Sequence, residues 1–144
     1  MSYESIRIFP LGDAALTVEF GTGISEEINN KAIGLAEYFE RNAFPGFIEA
    51  VPAYSSTTLF YDLAKVRKSL SQFPTAFAAV KSFAVAAINI RESMSAVNPR
   101  TVKIPVHFDS ESALDLDFVA EENGLAREKV ISIFTATTYR VFML

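Results

Sequence analysis

The sequence predicts an α+β protein: an antiparallel sheet with helices on one face over residues 1–92, a linker at 93–100, and the start of a second domain over 101–144. Three observations carry this reading. Two short segments alternate with period two, which buries one face of a strand, and two more short segments are of β type. Longer segments between them repeat apolar residues every three or four positions, which is a helical stripe. A polar stretch from Ser93 to Arg100, closed by Asn98-Pro99, then separates this pattern from a second set of elements.

Arg7 between Ile6 and Ile8 marks the first strand, and Ala14, Leu16, Val18 and Phe20 the buried parity of the second. Leu11-Gly12-Asp13 supplies the turn between them, because Gly and Asp tolerate positive φ. Ser25 is placed to cap a helix whose first turn carries Glu26 and Glu27, where acids suit the dipole. Its stripe of Ile28, Ala32, Leu35 and Phe39 runs to about Arg41, and Phe44-Pro45-Gly46 ends it. Strands over Phe47–Val51 and Thr57–Tyr61 follow, with Pro52 marking an interruption or edge between them. Val66, Leu70, Phe73, Phe77, Val80, Ala84 and Ile88 continue at helical steps. Pro74 divides that run into a short helix and a longer one, starting near Pro74 and ending near Arg91. The order is ββαββα, the last helical run being so divided.

Beyond the linker, Val102, Ile104, Val106 and Phe108 alternate with Lys103, Pro105 and His107, predicting a strand with Pro105 at an edge or bulge. Two short helices are predicted near Leu116–Asn123 and Ala126–Thr135, Gly124 capping the first. Tyr139–Leu144 reads as a further strand that stops at its most apolar point, as in a truncated module whose unpaired edges favour a homo-oligomer.

Composition excludes several classes of function. With no Cys and one His among 144 residues, disulfides, thiol catalysis and thiolate or His-rich metal centres are ruled out. The net charge of −4 argues against nucleic-acid binding by bulk electrostatics. No apolar run approaches the roughly 18 residues of a membrane span, and the N-terminus lacks a signal-peptide layout, so a cytoplasmic location is expected, away from membranes. Charge is uneven. Residues 1–63 carry nine acids and three bases (−6), residues 64–108 one acid and seven bases (+6), and residues 109–144 seven acids and three bases (−4). Solvated faces that neutralise one another explain this most simply; the sharper reading is a basic partner surface centred on Lys65, Arg67 and Lys68.

No phosphate-cradling glycine motif is present. His107 sits opposite the apolar parity of its strand and reads as an exposed or inter-domain imidazole without a catalytic part. Asp115, Asp117, Glu121 and Glu122 spread around a helix surface as solvated acids, and no metal site is assigned. Asp13 reads first as a turn former and second as a ligand contact. The pair of helices around Gly124 superficially matches a helix-turn-helix, but its surroundings are acidic where DNA recognition requires a basic helix. Taken alone, these residues specify no enzyme.

Several segments, in order, resemble the KipI/PxpB family (allophanate hydrolase subunit 1, or carboxyltransferase-domain subdomains C and D). They are Pro10-Leu11-Gly12-Asp13-Ala14-Ala15-Leu16, Glu19-Phe20-Gly21 with Ile24-Ser25, Gly46-Phe47-Ile48-Glu49-Ala50-Val51-Pro52-Ala53-Tyr54 and Val102-Lys103-Ile104-Pro105-Val106. Val119-Ala120, Gly124-Leu125, Val130-Ile131 and Tyr139-Arg140-Val141-Phe142-Met143-Leu144 complete the set. Each is weak alone; the ordered set is specific.

The resemblance implies a two-layer DCoH-like N-terminal domain followed by the incomplete beginning of a cyclophilin-like β-barrel. It implies a non-autonomous subunit of an ATP-dependent 5-oxoprolinase that opens 5-oxoproline to glutamate with KipA/PxpC-like and PxpA-like companions. ATP belongs to that complex, and no cofactor is expected on this chain alone. Some relatives instead inhibit a sensor histidine kinase, which is the alternative function. The family's Gly-Phe-x-Pro-Gly-Phe segment has no counterpart here, Phe134 stands where many relatives carry His, and Thr137 replaces a Pro. No catalytic residue is therefore carried over. The partner-surface candidates are Glu49, Pro52, Tyr54, Lys65, Arg67, Lys68 and Arg140.

Overall fold

The computed structural model describes residues 6–23, 25–90 and 100–142. They fall into two units: residues up to 90 together with Phe142, and residues 100–141.

In the first unit β1 (Arg7–Pro10) and β2 (Ala15–Glu19) form an antiparallel hairpin, with Arg7 opposite Glu19 and Pro10 opposite Leu16. Gly12, at φ +64°, makes the intervening turn, and the Leu11 N–H donates to the Ala15 carbonyl at 3.0 Å. Helix α1 (Glu26–Arg41) starts at Ser25, whose hydroxyl accepts the Ile28 N–H. Strands β3 (Phe47–Pro52) and β4 (Ser56–Tyr61) form a second hairpin, and β4 also pairs with β2. The sheet order is β1-β2-β4-β3, antiparallel throughout. Helix α2 (Leu63–Ser69) is capped by Asp62 and α3 (Ala76–Ile88) by Thr75.

The core follows from parity. Leu16 and Val18 of β2 pair with Leu59 and Thr57 of β4, so one face of the sheet presents these side chains and Tyr61 to the helices. Ala32, Leu35 and Phe39 of α1, Val66 of α2, and Ala76, Ala79, Val80 and Ala84 of α3 close over it. Phe39 meets Phe44 edge-on, with ring centroids 5.6 Å apart, and Phe44 stacks on Phe83 at 5.5 Å. On the other face the Thr17 and Thr58 hydroxyls hydrogen-bond at 2.9 Å and Arg7 pairs with Glu19 at 3.3 Å. Edge strand β3 carries Pro52 and a bulge between Phe47 and Glu49, and its Ala50 N–H donates to the Glu40 carboxylate. Each of these features discourages pairing with a further strand.

Pro74 precedes the cap of α3, so this helix starts at Ala76, two residues later than the spacing predicted. It ends at Ile88; Arg91 and the linker residues up to Pro99 lie outside the described residues.

The second unit departs from expectation. It holds α4 (Leu116–Glu122) and α5 (Arg127–Ala136) as predicted, but its described residues include no strand. The alternation over Val102–Phe108 and Tyr139–Phe142 records which side chains a neighbouring strand would bury, whereas a strand exists only where a partner takes its N–H and C=O groups. No described segment does so, and Val102, Ile104 and Val106 are exposed. Met143 and Leu144 lie outside the described residues. Gly124, at φ +61°, ends α4 with a double clasp: the Leu125 N–H donates to Ala120 O at 2.9 Å and the Gly124 N–H to Glu121 O at 3.1 Å. Arg127 grips both oxygens of Asp117, at 2.7 and 3.0 Å.

Candidate functional site

One end of the first unit's sheet is open between the β1–β2 turn and the helices. There Pro10, Gly12, Asp13, Tyr61, Leu63, Thr75, Ala76 and Phe77 line a cleft of about 400 Å³. Each wall has a local cause. The hairpin turn projects Gly12 and Asp13, and the Tyr61 N–H donates to Ala14 O at 2.9 Å, so β4 extends the sheet up to the turn. Tyr61 sits at the core parity of β4 and is 1% exposed. Burial of its ring, assisted by the Asp13 carboxylate, raises the pKa of its phenol above the ordinary value near 10. The hydroxyl is therefore a neutral hydrogen-bonding group at neutral pH. Thr75 starts α3, its hydroxyl accepting the Ala78 N–H at 3.0 Å, and Phe77 carries the Lys81 ammonium 5.9 Å from its ring centroid.

Next to the cleft, Asp62 caps α2. Its carboxylate accepts the Lys65 N–H at 3.0 Å and lies 3.4 Å from the Lys65 ammonium. These contacts, the backbone N–H foremost, hold its pKa below the usual carboxylate value. Gly46 is pressed against this cap. Its φ is +90°, a Cβ there would stand 2.8 Å from the Val66 methyl, and its carbonyl accepts the Asp62 N–H at 2.8 Å.

A second polar centre lies at the opposite end of the β3–β4 hairpin. Asn29, fully buried on α1, places its amide nitrogen 3.1 Å from Ala53 O, 3.4 Å from Tyr54 O and 3.0 Å from Phe142 O. The Tyr54 and Phe142 rings lie 6.5 Å apart, tilted by 43°. Phe142 and the Ala53–Tyr54 turn thus meet through one buried side chain.

The sequence candidates are not gathered into one surface. Lys65, Arg67 and Lys68 are exposed on α2, Lys65 held by Asp62 and Arg67 donating to Phe73 O at 2.9 Å. Glu49 and Pro52 lie on edge strand β3 and Tyr54 in the turn beyond it. Pro52 pairs with Thr57, whereas α2 follows Tyr61 at the far end of β4, so the basic trio and the Pro52–Tyr54 group occupy opposite ends of that hairpin. Arg140 belongs to the second unit and is half-buried. His107 is exposed and contacts Asp109 at 3.0 Å; Asp109 also accepts the Glu111 and Ser112 N–H groups. Contacts with Ser112 foremost lower the Asp109 pKa. Separately, Val119, Leu125, Val130, Ile133, Phe134 and Tyr139 line a largely apolar hollow of about 230 Å³ in the second unit.

Sequence reasoning missed Tyr61 and Asn29 as site residues. The signal was present in both cases. A tyrosine at a core parity needs an exit for its hydroxyl, and Asn29 falls three residues before Ala32 on the apolar stripe of α1.

Comparison with known proteins agrees with the ordered motifs. Residues 6–144 match the family model described as carboxyltransferase domain, subdomain C and D. The chain is 40% identical over 139 residues to the B subunit of 5-oxoprolinase from Bacillus subtilis (strain 168), covering 96% of this chain and 58% of that protein, so it spans little more than half of the relative's length. The N-terminal domain of the histidine kinase inhibitor KipI from Bacillus subtilis matches with a TM-score of 0.52 and 37% identity, over 61% of this chain and 91% of that domain. A crystal structure of TTHA0988 matches with a TM-score of 0.62 and 31% identity, over 90% of this chain and 22% of that one. The chain belongs to the carboxyltransferase subdomain C and D family, the KipI/PxpB family of the ordered motifs.

Proposed function

We propose that this chain acts as part of a 5-oxoprolinase-type subunit, which opens 5-oxoproline to glutamate with consumption of ATP and only together with companion subunits. The observation that carries this reading is the 40% identity to the Bacillus 5-oxoprolinase component, sustained over 139 residues. The companions are KipA/PxpC-like and PxpA-like proteins, and ATP is bound among them rather than by this chain alone. Exposed apolar side chains in the second unit, Leu114 and Phe118 among them, are the kind of surface a companion covers. Among the described residues no helix is long and apolar enough to cross a membrane, and we place the complex in the cytoplasm. The test is to combine the chain with its companions and measure ATP-dependent glutamate formation from 5-oxoproline. A rate that does not change when this chain is omitted rejects the reading.

A second reading is favoured by a specific observation, the likeness of this chain, over 61% of its length, to the N-terminal domain of KipI. On that reading the chain is a protein-binding module that inhibits a sensor histidine kinase. The exposed cations of α2, or the Glu49–Tyr54 edge of the sheet, provide its contact surface. An autophosphorylation assay decides: inhibition that is lost on charge reversal at Lys65, Arg67 and Lys68, or on Tyr54→Ala, supports it, and no inhibition at excess protein rejects it.

A further inference from the structure

We propose that Asn123 is a site of spontaneous deamidation, held in check by the turn that joins α4 to Gly124 and released when that turn opens. The chemistry needs no other molecule than water and applies under either functional reading.

Susceptibility begins with sequence. Asparagine is a chemically labile side chain, and it fails when the backbone nitrogen of the next residue attacks its amide carbon. Of the six asparagines, Asn123 alone precedes glycine, and Gly124 has no side chain to shield its nitrogen. Asn29, Asn30, Asn42 and Asn89 precede Asn30, Lys31, Ala43 and Ile90, whose side chains hinder attack, and Asn98 precedes Pro99, whose nitrogen carries no proton. Asn123 is also exposed, so water reaches it. In the reaction Gly124 N bonds to Asn123 Cγ and the Cγ–Nδ2 bond breaks. The departing amide takes the Gly124 proton and leaves as ammonia, and a five-membered succinimide remains. Water then opens that ring at one carbonyl or the other, giving aspartate, or isoaspartate with the main chain routed through Cβ.

The fold withholds both reacting groups. At ψ 1° the Gly124 nitrogen eclipses the backbone nitrogen of Asn123, not the Cβ beside which the ring must close. The Gly124 N–H donates to Glu121 O at 3.1 Å, the Leu125 N–H to Ala120 O at 2.9 Å, and the Asn123 Nδ2 to Val119 O at 2.8 Å. Ring closure requires all three to break. The lock is a local one. Among the described residues of the second unit only Leu116 and Ala120 are buried, and Arg127 on Asp117 clamps the two helices across the turn. A turn so thinly packed opens without global unfolding. Its product does not close again in the same way. Isoaspartate adds a main-chain carbon between Ala120 and Leu125, and aspartate adds a negative charge next to Glu121 and Glu122 at a helix C-terminus, where the dipole disfavours it. Asn123 and Leu125 line the apolar hollow of this unit, so the modification reshapes its wall.

The experiment incubates the full chain in neutral buffer and in urea and follows deamidation at each asparagine by peptide mass spectrometry. In urea Asn123 should react fastest of the six. In buffer its rate should fall by roughly a hundredfold, at about a fivefold factor for each of three hydrogen bonds. Leu116→Ala removes a buried anchor of α4 and should raise the rate in buffer by about tenfold while leaving the rate in urea unchanged. Arg127→Ala, at an exposed position, should raise it by a smaller factor, about twofold, and decides even if Leu116→Ala does not fold. The proposal is overturned if another asparagine reacts faster in urea, if the rate at Asn123 is the same in buffer and in urea, or if neither variant raises the rate in buffer.

Discussion

The two units share an apolar composition and use it differently. In the first, four paired strands offer a flat face, and every helix stripe has somewhere to go; Leu16, Leu35, Leu59, Val66 and Val80 are completely buried. In the second, α4 and α5 contact each other across the Gly124 turn, yet among its described residues only Leu116 and Ala120 are buried. Leu114 is 83% exposed, Ile104 76% and Phe118 65%. The difference teaches that a hydrophobic pattern specifies a face but does not create its partner. A sheet supplies that partner in the first unit, whereas two short helices offer each other only a narrow seam.

The comparison breaks most readily at the core aromatics. Phe39→Ala should cost about 3–5 kcal/mol of stability, as a cavity between α1 and β3 that cannot collapse. Phe118→Ala, at an exposed position, should change it by less than about 0.5 kcal/mol. Urea unfolding of both variants measures the contrast, and equal losses would show that Phe118 is packed in solution.

Two glycines with left-handed backbone sharpen it further. At Gly46 a Cβ adds a clash with Val66 and the start of α2 to the strain of positive φ, so Gly46→Ala should cost about 3 kcal/mol. At Gly124 the space is open and only the backbone term applies, about 1 kcal/mol. Thermal or chemical denaturation should rank them in that order.

Asn29 tests whether a polar side chain can matter as much within the first unit as its apolar neighbours. Asn29→Ala removes the donor shared by three carbonyls and should cost about 2 kcal/mol. Hydrogen exchange should then quicken around the Ala53–Tyr54 turn, and unchanged protection there would mean that Asn29 is not what holds it.

The smallest effects are those of pH. Tyr61 has a folded-state pKa above its ordinary value, so the fold binds a proton more tightly than the unfolded chain does. Its contribution is complete below about pH 10 and is lost as pH rises beyond that, and Tyr61→Phe should flatten the alkaline limb of a stability profile. Asp62 and Asp109 are shifted downward, so their contributions are present at neutral pH and fall away as pH drops through and below the carboxylate range. Asp62→Asn in the first unit and Asp109→Asn in the second should each remove part of the acid limb.

Much of the first unit is legible in the sequence. Ser25, Gly12 and the apolar parity of β2 and β4 are local signals, and each carries its own backbone consequence. The spacing misplaces helix α3 at both ends: it starts at Ala76 rather than near Pro74, because Thr75 is the cap, and it ends at Ile88 rather than near Arg91. The cleft is less legible. Asp13 stands in a recognisable turn, but Tyr61 and Thr75 lie 48 and 62 residues further on (61 − 13 and 75 − 13), and no spacing rule links them. The basic trio on α2 is visible as composition, while the distance from it to Tyr54 depends on how β3 pairs with β4.

What the sequence by itself determined is which residues would seek burial and where the chain would turn, since periodicity, caps and positive-φ glycines act within a few residues of themselves. Pairing was decided only by the tertiary structure. It aligned β2 with β4, set Tyr61 beside Asp13 and the start of α3, and left the alternating Val102–Phe108 segment without a partner strand among the described residues. Hydrogen bonds between distant strands, and the free energy of closing the loops between them, depend on the whole fold and are not written into any one segment.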